Sequence, residues 1–175
     1  MKPPLRIAIL GAESTGKSTL AAALAQHYRS SWVPEYLREF VESQGRTPRE
    51  EEQIMIARTQ VEREDLMASS TGTLLFCDTT PLITALYSCF YWGRVDSELS
   101  MMARDRRYHL TLVTAPDTPW VADGLQRESE AVRQHLHEKL LEVLGQLEIS
   151  YSLVQGTEQE RMQQVIRLLH SLRGD

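Results

Sequence analysis

Residues 11–18 read Gly-Ala-Glu-Ser-Thr-Gly-Lys-Ser, preceded by the apolar run Leu5 to Leu10 and followed by the Ala/Leu-rich stretch Thr19 to Ala25. This is a complete phosphate-binding loop between a strand and a helix, and it restricts the chain to α/β architectures. Gly11 and Gly16 permit a tight turn whose N–H groups face inward, at the positive end of the helix that starts near Gly16. Lys17 adds a mobile charge for the β- and γ-phosphates, and Ser18 offers a hydroxyl to magnesium. The expected nucleotide-binding set is therefore Gly11, Glu13, Ser14, Thr15, Gly16, Lys17, Ser18 and Thr19, with a nucleoside triphosphate and Mg2+ as cofactors.

A chain of 175 residues is the size of one ordinary domain, so a single domain over 1–175 is expected. With 19 basic against 24 acidic residues there is no general attraction for nucleic acid or anionic membrane. Only Lys2, Lys17 and Lys139 are lysines, so nearly all positive charge is the planar guanidinium kind suited to phosphate. Cys77 and Cys89 lie in apolar surroundings without metal-like spacing and read as buried free thiols of a reducing cytoplasm. No apolar stretch is long enough to span a bilayer, and no signal-like segment opens the sequence, so a cytoplasmic protein is expected. The five histidines read as surface or edge residues.

Strands and helices alternate along the chain. Strands are expected at Leu5–Leu10, Ser31–Pro34, Thr73–Asp78, His109–Thr114 and Ile149–Val154. One helical region is expected over Glu35–Ala68 and a helix over Pro81–Trp92, with Pro81 suited to a first turn. Two more follow from the leucine stripes at 136–147 and the apolar stripe at 162–172. The expected fold is a five-stranded, mainly parallel sheet covered on both faces, of the P-loop nucleoside/nucleotide kinase-like type with a lid. Ligands bind at the carboxyl ends of its strands.

Asp78 closes a buried strand, where a carboxylate can hold magnesium opposite Ser18. Thr79-Thr80-Pro81 lacks both the Glu of hydrolytic motors and the Asp-x-x-Gly of switch GTPases. Thr114-Ala115-Pro116-Asp117 lacks the lysine of a guanine-reading loop, so ATP is favoured and small-molecule kinases remain. Such enzymes need an acceptor pocket, a group that orients or deprotonates the acceptor, and arginines that close over the phosphoryl group. Glu35, Tyr36, Arg38 and Glu39 leave strand two at the phosphate-loop end and are candidates for the acceptor. The same spacing also fits a solvated helix with local ion pairs. Arg127 and Arg133 follow strand four at an Asp-Gly turn, either as lid residues or as partners of Glu128 and Glu130. Arg104, Arg106 and Arg107 fit a solvated face or a phosphate site. Gly156 and Thr157, after strand five, are positioned to lie against adenine.

Four stretches, 11–20, 34–40 (Pro-Glu-Tyr-Leu-Arg-Glu-Phe), 78–84 (Asp-Thr-Thr-Pro-Leu-Ile-Thr) and 119–125 (Pro-Trp-Val-Ala-Asp-Gly-Leu), run in the order of one family. On them the chain resembles the ribosylnicotinamide kinase domain of NadR-type proteins and the stand-alone AAA-type ATPase/kinase proteins grouped with it. The resemblance implies transfer of the γ-phosphate of ATP to the ribose 5′-hydroxyl of nicotinamide riboside. Alternatives are a kinase for another nucleoside or nucleotide, and a regulatory ATPase module without a metabolite acceptor. The adenylyltransferase and DNA-binding activities of longer members are not expected in this length. Catalytic roles fall to Lys17, to Glu35 as preferred base with Asp78 as the other carboxylate, and to Arg127 or Arg133; Ser18 and Asp78 take the metal. Two positions depart from the family pattern. Pro34 stands where the family has a tryptophan that helps stack on the nicotinamide ring, so either the aromatic platform comes from Trp32, Tyr36 or elsewhere, or the base differs; and Gln126 stands where the lid has Arg, with Arg127 next to it.

Overall fold

The computed structural model describes residues 3–122 and 129–174. Five strands, β1 (Leu5–Leu10), β2 (Ser31–Val33), β3 (Leu74–Asp78), β4 (Leu110–Thr114) and β5 (Ser152–Val154), form one sheet in the order β2-β3-β1-β4-β5. Every pairing is parallel. Among the described residues seven α-helices surround it: α1 (Lys17–Tyr28), α2 (Tyr36–Gln44), α3 (Gln53–Ser70), α4 (Pro81–Trp92), α5 (Ser97–Asp105), α6 (Glu130–Gln146) and α7 (Glu158–Arg173).

Alternate residues of the strands feed two cores, because successive side chains point to opposite faces. Ile7, Ile9, Leu74, Phe76, Leu112 and Val154 pack under α1 and α7 against Leu20, Leu24, Val165 and Leu169. Ala8, Leu10 and Val113 face α3 to α6 and meet Leu82, Leu99, Leu140 and Leu144. A sheet buried on both faces explains why its strands are continuously apolar. Parallel pairing also carries all five strand exits to the same edge. The phosphate loop, Pro34-Glu35, Asp78-Thr79, the Thr114–Asp117 turn and Gln155–Thr157 therefore meet there.

The expected single helical region at 35–68 is two helices with a break. Gly45 ends α2 in the left-handed conformation (φ 63°), and its N–H caps Val41 O. Pro48 and the extended Arg49 then lead into a short 3-10 turn at Glu50–Glu52, pinned by Arg46 at 2.7 Å from Glu52 and by the Arg49 amide. α5 had no place in the sequence-based assignment. Asp96 starts it by accepting hydrogen bonds from the amides of Glu98 and Leu99, a capping signal at Asp96-Ser97-Glu98. Two smaller expectations also change. Cys77 is buried, but Cys89 is exposed on α4. His137 is buried on α6, and that burial lowers its pKa.

The basic cluster 104–107 is chiefly structural. Arg106 bonds the fully buried Glu64 of α3 through Nε (2.9 Å) and Nη2 (2.8 Å), and Tyr108 adds its hydroxyl at 3.1 Å. Burial raises the Glu64 carboxyl above its ordinary pKa, opposed by Arg106, Tyr108 and Arg6. Arg104 makes an exposed pair with Asp105, and Arg107 caps the Arg104 carbonyl. Removing one partner of a buried pair strands the other, so Glu64→Ala is expected to cost about 3 kcal/mol. Thermal denaturation should register this as a fall of roughly 10 °C in Tm, whereas Arg104→Ala should leave Tm nearly unchanged.

Candidate functional site

The phosphate loop is shaped by contacts that leave little latitude. The Thr15 hydroxyl bonds Ala12 O at 2.8 Å and the Thr114 hydroxyl at 2.6 Å, and Thr114 in turn bonds Leu10 O. A Cβ added to Gly11 would lie 2.2 Å from Thr114 Oγ1 and 2.8 Å from Thr15 Oγ1, so only glycine fits. Gly16 takes φ 83° as the N-cap of α1. Lys17 is buried and donates to Ala12 O at 2.9 Å, which holds its ammonium over the loop. Thr19 lies exposed in the first turn of α1.

Facing the loop from β3, Asp78 is fully buried and accepts the Ser18 hydroxyl at 2.5 Å through Oδ2. Its other oxygen, Oδ1, is buried with no hydrogen-bond partner among the described residues. Burial and then the nearby Glu35 lift the Asp78 carboxyl to about 6, opposed by Lys17, Ser18 and Arg38. An unshared buried carboxylate oxygen beside a serine hydroxyl is a hard-oxygen donor pair that fits Mg2+. No cluster of three or more His, Cys, Asp or Glu forms among the described residues. Ser18 and Asp78 would thus share such an ion with nucleotide and water oxygens.

Glu35 precedes α2 as its N-cap, and Thr79 donates to Glu35 Oε1 at 3.1 Å. Thr79 makes this contact from φ 73°, a conformation that β-branched residues rarely adopt. Gln60, buried on α3, fastens the exits of β2 and β3. Its amide nitrogen donates to Pro34 O (3.3 Å) and Asp78 O (3.4 Å), and its oxygen accepts from the Tyr36 amide (2.8 Å). Beside this clasp a cavity of about 330 Å³ is lined by Glu35, Thr79, Gln60, Ile83, Thr84, Tyr87, Tyr91 and Trp92, among others.

Of the four candidates leaving β2, Glu35 alone lines that cavity. Glu39 pairs with Arg63 at 2.6 Å on the surface, and Arg63 stacks over Tyr36 at 4.6 Å. Arg38 is exposed yet close enough to Asp78 to influence its carboxyl. Trp32 packs against the α1/α7 core. The aromatic surface therefore comes from α4, through Tyr87, Tyr91 and Trp92. Tyr87 and Tyr91, four residues apart, share one face of α4, a signal that was available in the sequence.

Arg127 lies outside the described residues. Arg133 is buried in α6 and donates to Ser14 O at 3.0 Å and to Glu130 at 3.4 Å, so in this arrangement it tethers the phosphate loop and does not swing over it. Thr118 and the Val121 amide also bond Ser14, and Trp120 donates to Glu13 Oε1 at 3.3 Å. Sequence reasoning passed over Arg161. Buried on α7, it donates to the carbonyls of Thr15, Ala115 and Gly156 and pairs with Asp117. Asp117 in turn accepts the Gly156 amide at 2.6 Å. Partial burial raises the Asp117 carboxyl, but the Gly156 amide and the Arg161 guanidinium outweigh it and hold the pKa below its ordinary value.

A phosphate loop, a magnesium-type Ser/Asp pair and an adjoining aromatic cavity on a parallel sheet define a P-loop nucleotide-binding domain. The chain belongs to the AAA domain family, whose model matches residues 6–161. It is 27% identical, over 97% of its length, to the trifunctional NAD biosynthesis/regulator proteins NadR of Escherichia coli (strain K12) and Salmonella typhimurium (strain LT2). It spans 43% of the length of those relatives. A crystal structure of NadR in complex with NAD and AMP-PNP superposes with a TM-score of 0.81 at 21% identity, covering 98% of this chain and 50% of that one. Deoxyadenosine kinase from M. mycoides shares the fold with a TM-score of 0.64 at 14% identity, covering 95% of this chain and all of that one. The fold is that of the P-loop nucleotide and nucleoside kinases. Among the described residues no helix is long and apolar enough to cross a membrane.

Gly11→Ala is expected to push the loop off Thr114 and weaken ATP-analogue binding at least tenfold by calorimetry. Adding Thr114→Ala removes the nearest obstructing oxygen and should restore part of the affinity.

Proposed function

We propose that this chain is an ATP-dependent phosphotransferase that phosphorylates a nucleoside, with the ribose 5′-hydroxyl of nicotinamide riboside as the favoured acceptor. The observation that carries the reading is the aromatic cavity opening onto Glu35 and Thr79 beside Asp78. Tyr91 and Trp92, with ring centroids 5.6 Å apart, offer flat faces for a planar base, a role that Pro34 cannot fill. NadR has been crystallised with NR, and the same fold covers 98% of this chain, which supports the choice of acceptor.

In this reading the amides of residues 11–16 and Lys17 hold the phosphates, and Gly156 and Thr157 border the adenine. Mg2+ held by Ser18 and Asp78 would neutralise charge on the β- and γ-phosphates. Glu35, oriented by the Thr79 hydroxyl, accepts the proton of the acceptor hydroxyl as its oxygen attacks the γ-phosphorus; ADP leaves. Its position on the cavity wall favours Glu35 over Asp78, whose Oδ2 is already committed to Ser18. Arg127 remains the lid arginine of the proposal, with Arg133 fixing the loop on which it would close.

The deciding assay follows ADP and phosphorylated product by mass with Mg-ATP alone, with nicotinamide riboside and with a nucleoside panel. Riboside-dependent formation of nicotinamide mononucleotide is expected. Equal ADP with and without riboside, and no phosphorylated product, would overturn the assignment. Glu35→Gln should lower turnover about a hundredfold or more while calorimetry finds ATP-analogue affinity within twofold.

A further inference from the structure

Tyr87 belongs to both the cavity and the phosphate loop. Its ring stands in the cavity wall, and its hydroxyl oxygen accepts a hydrogen bond from the Glu13 backbone N–H at 3.2 Å. Glu13 is the third residue of the loop, and its amide is among those proposed above to hold phosphate. One N–H directs its proton well toward one acceptor, because hydrogen bonds weaken steeply as their angle closes. The phenol oxygen and a phosphate oxygen therefore compete for it. Glu13 carries a second link, since its carboxylate accepts Trp120 Nε1 from the segment after β4, which Thr118 and Val121 fasten to Ser14.

We propose that Tyr87 is a positioning residue that couples the nucleotide and acceptor sites. Its hydroxyl holds the Glu13 amide until a phosphate oxygen takes it, and the ring, no longer tied to the loop amide, then adjusts against the acceptor base. Nucleotide binding thereby shapes the acceptor wall, which favours ATP loading before the acceptor. The inference rests on the phosphotransferase reading for its acceptor, and on the phosphate loop alone for its nucleotide half.

Tyr87→Phe keeps the ring and removes only the oxygen. With no phenol to displace, the dissociation constant of AMP-PNP with Mg2+, measured by calorimetry, is expected to fall about fivefold, the scale of one hydrogen bond. A purely structural role would leave affinity unchanged or weaken it, and either result overturns the proposal. The second readout is the ratio of nicotinamide riboside dissociation constants without and with AMP-PNP. It should exceed one in the wild type and approach one in Tyr87→Phe; a ratio unaffected by the substitution overturns the coupling. If the wild type binds AMP-PNP but no riboside, the acceptor assignment falls, and the AMP-PNP comparison still decides the role of Tyr87. If neither protein binds AMP-PNP, the phosphate-loop reading falls and the proposal with it.

Discussion

The guanidinium of Arg161 satisfies backbone carbonyls at the exits of three different strands: Thr15 after β1, Ala115 after β4 and Gly156 after β5. These carbonyls face a buried space where no ladder partner reaches, and an unpaired buried carbonyl is costly. A planar five-donor group answers all three at once, in a way that a lysine point charge could not. The pair with Asp117 keeps that charge from being stranded, and Asp117 passes the constraint on to the Gly156 amide. The loop that would cradle phosphate is thus anchored from below by α7, from the side by Thr114, and from α6 by Arg133.

A second, independent clasp organises the cavity side of the site. Gln60 uses its whole amide to join the exits of β2 and β3, so Glu35 and Asp78 are placed by one buried side chain of α3. The two carboxylates are close enough for Glu35 to raise the Asp78 pKa. A cation at Ser18 and Asp78 would remove much of that repulsion and favour the charged form of Asp78. An ion held there would then be linked to the Glu35 side of the cavity through electrostatics as well as position.

Much of the strand framework could be read from the chain, because apolar runs ending in chemically distinct residues are a local pattern. β1 and α4 match their expected bounds, and the phosphate loop carries its own geometry in its glycines. The break at Gly45–Pro48 was marked by the glycine and proline themselves but outweighed by the helix-forming residues on either side, and α5 was a short amphipathic segment whose capping aspartate was its main marker. That Glu35 and Asp78 come together was legible because strand exits in a parallel sheet converge. Gln60 and Arg161 were not, since each acts mainly through partners well separated in sequence and leaves no spacing signature; the contact of Tyr87 with the Glu13 amide was equally silent, although the spacing of Tyr87 to Tyr91 was not. Tyr36 and Glu39 were drawn in by neighbourhood in sequence; the turn of α2 carries both away from the cavity and to Arg63.

Thr79 has a backbone that glycine or asparagine would adopt more readily, yet its hydroxyl is what steadies Glu35. Selection on heat resistance alone would drift this position toward those residues and relax the backbone, loosening the carboxylate in the process. With Glu35 in its proposed role, durability and turnover pull in opposite directions at this position. A thermostable descendant that retained Thr79 would have to find its gains in other parts of the molecule.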